Sequence, residues 1–458
     1  MADGRIGGDD LEALRGALSG RVTGPGDPGW DEARRAWNLA VDQRPAAVAE
    51  VATAEEVAAA VRFAAEHGLG VTAQPIGHGA MHPMEGVLLL RTGEMRQLDV
   101  DVEGRTATVG PGTRWGEVAA VAGAVGLAGL AGTAPEISAV AYTLGGGIGW
   151  LARAHGIAAN SVRSFEVVAP DGTLRTVDAG TEPDLFWALR GGGGAFGIVT
   201  AMTFDLYPAP EVYGGMIVWP VERAGEVLPA WRRWTDTLTE ATTTIGLTLN
   251  VPPIPTAPPP LRGRSIVGVA FCHLGPAAEG EKLAAALREL GDPVVDTFGP
   301  VPADRIAGIL PGPVDPAPAT GTGVLVHDLD DAAVTAIAEH AASGTFAPLI
   351  GIELRHLGGA VAEPDQAKGA AGHLTERYLL AAHALLASPE LSEAVPAALG
   401  ALEAAVEPVA SGRLPLTFVD NGESVAKAFD EATSARLANV KRRYDPDNRF
   451  RGNHPAGA

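Results

Sequence analysis

Glycines cluster in three segments of this sequence, at a spacing that suits close contact between backbone and ligand. Segment 144–150 reads LGGGIGW, segment 74–80 reads QPIGHGA and segment 191–197 reads GGGGAFG. Glycine has no Cβ, so the backbone at such positions can lie directly against a flat or charged group. Tight turns of successive N–H groups also bind anions. The segments therefore predict a ligand site, although a glycine-rich surface turn is the alternative for 144–150.

One glycine motif is misleading. Residues 192–197 match the G-x-G-x-x-G fingerprint, which in dinucleotide-binding folds follows a strand and opens a helix. Here a helical pattern at 184–190 precedes the glycines, and a strand pattern at 196–203 follows them. Because the order of the elements is reversed, we predict that NAD does not bind at this motif.

Hydrophobic periodicity predicts a mixture of helices and strands around these segments. A helix is predicted over 53–67, and the Asp171-Gly172 turn predicts a hairpin between 165–169 and 174–177. Further strands are predicted at 70–72, 87–90, 107–109, 265–271 and 348–354, and further helices at 279–290 and 423–444. Prolines predict a linker at 208–210 and surface loops at 252–260 and 299–318.

Composition restricts the possible partners and the compartment. The 458 residues include 34 Lys and Arg against 55 Asp and Glu, a net charge of −21, so we expect neither nucleic acid nor an anionic membrane as partner. The length predicts two domains. No apolar stretch is long enough to span a membrane, and the polar N-terminus lacks a signal-peptide pattern. The single Cys272 lies in an apolar run, which predicts a buried strand rather than a reactive thiol, and we expect a cytoplasmic protein.

Taken in order, segments 74–80, 144–150, 184–200 and 444–454 resemble the flavin-dependent oxidoreductases of the berberine-bridge-enzyme-like group, which have a vanillyl-alcohol-oxidase-type (PCMH-type) FAD domain. The resemblance runs from about Trp37 to His454. It implies an α+β fold, with a two-part FAD-binding domain and a substrate domain whose large antiparallel sheet is backed by helices. The implied ranges are 1–211 for the FAD domain, with a core at about 43–209, then 212–417 for the substrate domain and 418–458 for the segment that completes the FAD domain.

The resemblance also implies which residues contact FAD. The glycines of the 144–150 run should lie beside the diphosphate and ribityl chain, and the chain end should return to the flavin unless it is a loose tail. The implied cofactor-binding residues are Ile76, Gly77, His78, Gly79, Ala80, Thr133, Ser138, Tyr142, Gly145, Gly146, Gly147, Gly149, Gly197, Ile198, Asn453 and His454. Ser138 either donates to a flavin heteroatom or satisfies its own backbone. No metal is expected.

The loop at 74–80 departs from the pattern of related sequences, which is arginine-x-glycine-glycine-histidine-serine. Gln74 replaces the arginine, so we expect weaker binding of the phosphates, and Ile76 and Gly79 replace a glycine and the serine. His78 is kept, at the position where relatives bond the flavin 8α-methyl carbon. We therefore predict a covalent link, the alternative being a histidine that only packs near the flavin. A second link is not expected, because Ala134 stands where relatives have cysteine.

The usual catalytic base of the related enzymes is missing. Relatives carry tyrosine-x-asparagine on a strand of the substrate domain, and the equivalent segment here is 415–418, with Pro415 and Thr417 at those two positions. Alternation in segment 351–359 places Glu353 and Arg355 on one face, where they form either a catalytic pair or a structural ion pair. The candidate bases are therefore Glu353, Tyr142, Tyr378 and Asp420, with His155 as a further possibility.

The function that these features indicate is FAD-dependent oxidation of a C–OH or activated C–H in a small organic molecule, such as a secondary metabolite or a sugar. A base takes the proton, hydride passes to the flavin, and dioxygen is the expected electron acceptor. The missing base favours one alternative, a redox-neutral cyclase, lyase or isomerase on the same scaffold. A non-catalytic protein that binds flavin or another ligand is the second alternative.

Overall fold

The computed structural model describes residues 6–255, 257–310, 312, 315–420 and 424–455. Its helices, in chain order, are α1 (Gly8–Ala17), α2 (Trp30–Arg34), α3 (Ala54–Glu66), α4 (Trp115–Gly123), α5 (Ala139–Leu144), α6 (Ala152–His155), α7 (Pro183–Leu189), α8 (Ala224–Thr235), α9 (Ala277–Arg288), α10 (Asp331–Ala342), α11 (Pro389–Val406) and α12 (Glu431–Tyr444). Within the described ranges no helix is both long enough and apolar enough to cross a membrane.

The strands in the first half of the chain form two larger sheets and one short pair. They are β1 (Val22–Thr23), β2 (Ala47–Glu50), β3 (Gly70–Ala73), β4 (Val87–Arg91), β5 (Leu98–Asp101), β6 (Thr106–Val109), β7 (Leu127–Ala128), β8 (Val162–Val168), β9 (Leu174–Val177), β10 (Ile198–Asp205) and β11 (Tyr207–Pro208). The sheet orders are β1-β2-β4-β3 and β5-β6-β10-β8-β9, and β11 pairs with β7. The hairpin predicted from the Asp171-Gly172 turn is the antiparallel pair β8 and β9.

The first sheet sets up a ligand-binding edge. Strands β3 and β4 are parallel, with Ala73 beside Leu90, so their carboxyl ends lie next to each other. Segment 74–80 follows β3 at this edge. On one side the sheet is covered by α3, whose start is fixed where the side chain of Thr53 accepts a hydrogen bond from the N–H of Glu56. On the open side of β3 the chain end pairs with it, because Val71 and Phe450 form a parallel bridge.

The strands of the second half form one antiparallel sheet. They are β12 (Val212–Pro220), β13 (Thr242–Asn250), β14 (Ser265–Leu274), β15 (Val295–Asp296), β16 (Gly299–Pro300), β17 (Ala319–Val326), β18 (Gly351–His356) and β19 (Tyr378–Leu385). The order is β15-β12-β14-β13-β18-β19-β17, and β16 pairs with the edge of β12. The α+β class with a large antiparallel sheet, as expected from the sequence, is confirmed.

Alternation along these strands gives the large sheet two different faces. One face packs against α8, α10 and α11 in an apolar core that includes Trp231, Ile337 and Leu402. The opposite face buries Ile245 and Leu247 against Trp150, which follows the glycine run. The sheet therefore lies between a helical layer and the segment that carries the glycines.

Several boundaries differ from those predicted. The last helix begins at Glu431 rather than at 423, because the Asp430 carboxylate accepts a hydrogen bond from the N–H of Thr433 at 2.7 Å and caps it there; residue 423 lies outside the described ranges. Strand β18 begins at Gly351 rather than at 348. The predicted surface loop at 299–318 is partly wrong, because a 3₁₀ helix at Ala303–Ile309 buries two isoleucines. Cys272 is buried within β14, as predicted.

Candidate active site

A cavity of about 360 Å³ lies where the first sheet, the glycine run, the start of β10 and the large sheet meet. Most of the residues that the sequence singled out for a cofactor contribute to its wall. These are Ile76, Gly77, His78, Gly79, Ala80, Thr133, Ser138, Tyr142, Gly145, Gly197, Ile198, Asn453 and His454. Gln74, Ala134, Arg355 and Thr417 line it as well.

The glycine run contributes less wall than expected. Gly145 lines the cavity, and a Cβ there would lie 2.9 Å from Cγ2 of Thr417. Gly146, Gly147 and Gly149 are not among the lining residues. Gly147 has φ +87°, and a Cβ on it would lie 2.3 Å from the ring of Tyr142, whereas one on Gly149 would lie 1.8 Å from a backbone carbonyl. These three glycines therefore allow the turn to fold tightly, and Gly147 leaves room for the ring of Tyr142, which lines the cavity.

Polar atoms at the cavity wall lack protein partners. The hydroxyl of Tyr142, the hydroxyl of Thr417 and Nε2 of His454 are buried, and none of them meets a hydrogen-bonding group among the described residues. Buried polar atoms are normally hydrogen-bonded, so groups in this position suit a polar ligand that occupies the cavity. Together with the glycine-rich 74–80 loop, they fit a long cofactor that has both heteroatoms and phosphates.

His78 lies half-buried in the cavity wall. The indole of Trp37 stacks on its imidazole, with 3.9 Å between ring centroids and 21° between the ring planes. Burial, and next the neighbouring His383, lower the pKa of His78 to about 4. The imidazole is therefore neutral at pH 7, so its unprotonated nitrogen has a free lone pair.

Glu353 and Arg355 form a buried ion pair on β18, with 2.6 Å between Arg355 Nη2 and Glu353 Oε2. Burial alone would raise the pKa of Glu353, but Arg355 and His383 outweigh it, and the pKa is lowered. Arg355 lines the cavity, lies over the ring of Phe418 at 5.2 Å and donates to the carbonyl of Ile148 at 3.4 Å. The pair therefore presents a fixed guanidinium to the cavity. Glu353 itself is not among the lining residues, so its ionised carboxylate lies next to a cavity residue rather than in the cavity wall.

The other candidate bases lie at different distances from the cavity. Tyr142 lines it, and burial raises the pKa of this phenol well above its usual value, so the hydroxyl is neutral. Tyr378 is in the wrong place for a base, because it points into the core on the helical face, where its hydroxyl bonds Thr235 at 2.6 Å. His155 stacks on Tyr207 outside the lining set. Asp420 lies over β17 near Gly321 and is not a lining residue.

The segment equivalent to the tyrosine-bearing strand of relatives is not a strand here. Pro415 precedes a 3₁₀ turn at Leu416–Phe418. This turn directs Thr417 and Phe418 to the cavity. Proline lacks the backbone N–H that pairing in a central strand requires, so Pro415 disfavours a strand in this segment.

The chain end returns to the cavity and secures the 74–80 loop. The Asn453 side chain accepts from the N–H of Met81 at 3.0 Å and donates to the carbonyl of Gly79. Burial lowers the pKa of His454 to about 4, which keeps that imidazole neutral. The described part of the chain end is therefore docked against the cavity, in contrast to the loose tail that was the alternative.

Sequence reasoning missed three supporting residues. Lys441 on α12 donates to the carbonyls of Ala195 and Phe450 and to Asp445. The sequence feature that could have revealed Lys441 is its position one turn after Leu437, on a helix face that is otherwise apolar and buried. His383 is the one histidine in strand β19, which is otherwise apolar apart from Tyr378 at its start, and Arg91 ends the apolar strand β4. In both strands the break in the apolar pattern was the available signal.

Comparison with known proteins agrees with the geometry. Residues 45–178 match the family described as FAD binding domain. The chain is 28% identical over 455 residues to (R)-6-hydroxynicotine oxidase of Paenarthrobacter nicotinovorans, covering 96% of each chain. The crystal structure of 6-hydroxy-D-nicotine oxidase from Arthrobacter nicotinovorans has a TM-score of 0.83 and 25% identity, covering 96% of this chain and 98% of that one.

A further relative is more similar over a shorter length. Xylooligosaccharide oxidase of Thermothelomyces thermophilus is 34% identical over 216 residues, 46% of this chain and 44% of the relative. The fold and the cavity define a flavoprotein oxidoreductase. Residues 45–178 form an FAD-binding domain, and nearly the whole chain is similar in sequence and fold to PCMH/VAO-type FAD-linked oxidoreductases, as its motifs indicated; FAD is its cofactor.

Proposed function

We propose that the protein is an oxidase that removes a hydride and a proton from a C–OH or activated C–H of a small organic molecule. The observation that carries the proposal is the wall formed by Arg355, Tyr142 and Thr417, where fixed polar groups face the cavity that fits FAD. Relatives named as oxidases of 6-hydroxynicotine and of xylooligosaccharides support a secondary metabolite or a sugar as substrate. When bound, FAD supplies the hydride acceptor and passes the electrons on to dioxygen, which yields hydrogen peroxide.

The residues of this chain have separate roles in the proposal. Arg355 holds and polarises a substrate oxygen, because its guanidinium is fixed by Glu353 and by a backbone carbonyl. We propose Glu353 as the proton acceptor, because its contact with Arg355 places it next to the cavity wall and its lowered pKa keeps it ionised at neutral pH. The neutral hydroxyl of Tyr142, which also lines the cavity, is the proposed hydrogen-bond donor to a substrate or flavin oxygen in the same part of the cavity. Phe418 covers Arg355 and keeps water from the guanidinium.

We further propose one covalent bond to the flavin, through His78, and none through sulfur. A neutral imidazole with a free lone pair is what such a bond requires, and His78 has one at the cavity wall. Ala134 lines the cavity where relatives have cysteine, and Cys272 lies buried in β14. Acid precipitation should leave the yellow colour in the pellet, and His78→Ala should release it to the supernatant.

The domain division belongs to the same proposal. Residues 1–211 and 418–458 would hold FAD, and 212–417 would cover the reacting part of the flavin. We propose a cytoplasmic location because the chain has a single cysteine, which suits a reducing compartment.

Anaerobic reduction tests the proposed activity. Purified protein is mixed with a panel of hydroxylated heteroaromatic amines and oligosaccharides, and the flavin absorbance is followed. A substrate should bleach the flavin, and readmitting dioxygen should restore the colour with one peroxide per turnover. Product formation without bleaching would instead select the redox-neutral alternative.

A further inference from the structure

Arg91 stands behind the 74–80 loop at the ligand-binding edge of the first sheet. Strand β4 ends at Arg91, and the parallel strand β3 ends at Ala73, directly before Gln74. Ligands of sheets with parallel strands bind at this carboxyl edge. Arg91 Nη1 donates a hydrogen bond to Oε1 of Gln74 at 2.5 Å. The two side chains are therefore coupled at the start of the loop.

Two further nitrogens of Arg91 donate to neutral backbone groups. Nε and Nη2 both donate to the carbonyl of Ala33, at 3.1 and 3.0 Å, and Nη2 also donates to the carbonyl of Arg35 at 2.8 Å. Burial lowers the pKa of Arg91 to about 10, and Glu50 opposes that change. The guanidinium thus remains a cation at neutral pH. The hydrogen bonds named here are all to neutral groups, and the Glu50 carboxylate, opposite Arg91 in the β2–β4 pairing, offsets part of its charge.

The contact with Arg91 also fixes the orientation of the Gln74 amide. A guanidinium carries only donors, so the atom that faces it must be the carbonyl oxygen of Gln74. The NH₂ group of Gln74 then points away from Arg91. Gln74 is buried and lines the cavity. Gly77 has φ +83°, and a Cβ on it would lie 2.8 Å from Cδ of Gln74, so the loop wraps closely around this amide.

We propose that Gln74 and Arg91 together form a cationic site for the diphosphate of FAD. Gln74 donates its N–H groups to a phosphate oxygen, and Arg91 is a positioning residue that orients the amide and supplies the positive charge. The pair takes the place of the single arginine that related sequences carry at position 74. The expectation of weaker phosphate binding, drawn from Gln74 alone, is replaced by one of ordinary binding. This inference requires FAD binding and does not depend on the proposed oxidase activity.

The test compares FAD with riboflavin, which lacks phosphate. Both ligands are titrated into flavin-free protein in a His78→Ala background, where no histidyl bond can form, and quenching of flavin fluorescence gives each Kd. Gln74→Glu keeps the shape and pairs a carboxylate with Arg91, which cancels the charge. Arg91→Met removes the charge, and Gln74→Leu removes the amide alone. Arg305→Met, at a side chain that is 78% exposed, is the control for net charge.

Gln74→Glu and Arg91→Met should each raise the Kd for FAD by about 10- to 100-fold, the usual effect of one charge-assisted contact. The riboflavin Kd should change by less than about twofold. The double variant Gln74→Leu/Arg91→Met should bind FAD no more weakly than Arg91→Met, because Gln74 contributes only when Arg91 orients its amide. Equal weakening of FAD and riboflavin would overturn the proposal by showing a general distortion of the loop. An unchanged FAD Kd in Gln74→Glu would also overturn the proposal. This variant keeps every contact between Arg91 and backbone carbonyls, so it remains informative even if Arg91→Met does not fold.

Discussion

The indole of Trp37 stacks on the imidazole of His78 at 3.9 Å, and this contact joins the large sheet to the loop that we expect to hold the flavin. Trp37 is fixed on both sides. The backbone N–H of Trp37 donates to the carbonyl of Ile76 in the loop, and the backbone carbonyl of Trp37 accepts from the N–H of Ala317, just before β17. The orientation of His78 thus depends on a segment remote from it in sequence.

Replacing Trp37 should slow or prevent covalent attachment of the flavin. Trp37→Ala removes the face on which the imidazole rests, so we expect the acid-precipitable share of the flavin to fall several-fold, whereas Trp37→Phe should keep most of it. The check is the flavin content of the acid pellet against the supernatant for parent and variants. The control is Trp187→Ala, at a partly buried tryptophan that contacts Arg436 away from the cavity. Full attachment in Trp37→Ala would show that the stack has no role in positioning His78.

The role proposed for Glu353 predicts a loss of flavin reduction. Glu353→Gln keeps the shape, removes the proton acceptor and should lower the anaerobic reduction rate by about 10²–10⁴, as is typical when one well-placed base is lost. Stopped-flow absorbance with a reducing substrate is the measurement. Tyr378→Phe is the matched control, since its hydroxyl bonds Thr235 on the helical face.

If Glu353→Gln reduces the flavin as fast as the parent, the carboxylate serves only as the ion-pair partner of Arg355. Tyr142→Phe then becomes the next variant to measure, because this hydroxyl lines the cavity and has no protein partner among the described residues. Asp420 ranks below Tyr142 because it is absent from the lining set.

The sequence was informative wherever a local pattern decides the structure. Alternation and the Asp171-Gly172 turn predicted the hairpin β8–β9, and alternation on β18 placed Glu353 and Arg355 on one face, where they form an ion pair. Most of the cofactor-binding residues that motif spacing selected lie in the cavity wall.

What the sequence did not predict depends on contacts between distant segments. The coupling of Gln74 to Arg91 exists because β3 and β4 pair in parallel in one register, which no local pattern specifies. Tyr378 was proposed as a base because tyrosine chemistry suits the task. The alternation of β19 instead turns its side chain toward α8, where Thr235 meets it.

Lys441 predicts a large stability effect far from any reacting group. Its ammonium donates to the carbonyl of Ala195 in segment 191–197, to the carbonyl of Phe450 near the chain end and to the carboxylate of Asp445, a residue that is 2% exposed. Lys441→Met leaves this carboxylate buried without its cation, so the free energy of unfolding should fall by about 3–5 kcal/mol. Urea unfolding measures the loss, with Lys282→Met on the exposed face of α9 as control. A loss below about 1 kcal/mol would mean that water reaches Asp445.

His356 predicts how stability depends on pH. Burial, with Arg153 next, lowers the pKa of His356 to about 3, against an ordinary value of 6.5. Nε2 of His356 lies 3.1 Å from Arg153 Nη1, so the neutral imidazole accepts a hydrogen bond that protonation would remove. Below pH 6.5 the unfolded chain takes up this proton and the folded chain does not. The free energy of unfolding should therefore fall as the pH drops from 6.5 toward 3, by up to about 1.4 kcal/mol per pH unit for this group. Above pH 6.5 the group should contribute no slope to the dependence of unfolding free energy on pH.

His356→Gln keeps an acceptor for Arg153 and cannot titrate. Its free energy of unfolding in urea, measured at pH 7, 6 and 5, should therefore fall less steeply with decreasing pH than that of the parent. His67→Gln, at a histidine near the surface that pairs with Asp10, is the control and should leave the steep decline in place. Identical slopes for the parent and His356→Gln would show that folding does not lower the pKa of this imidazole.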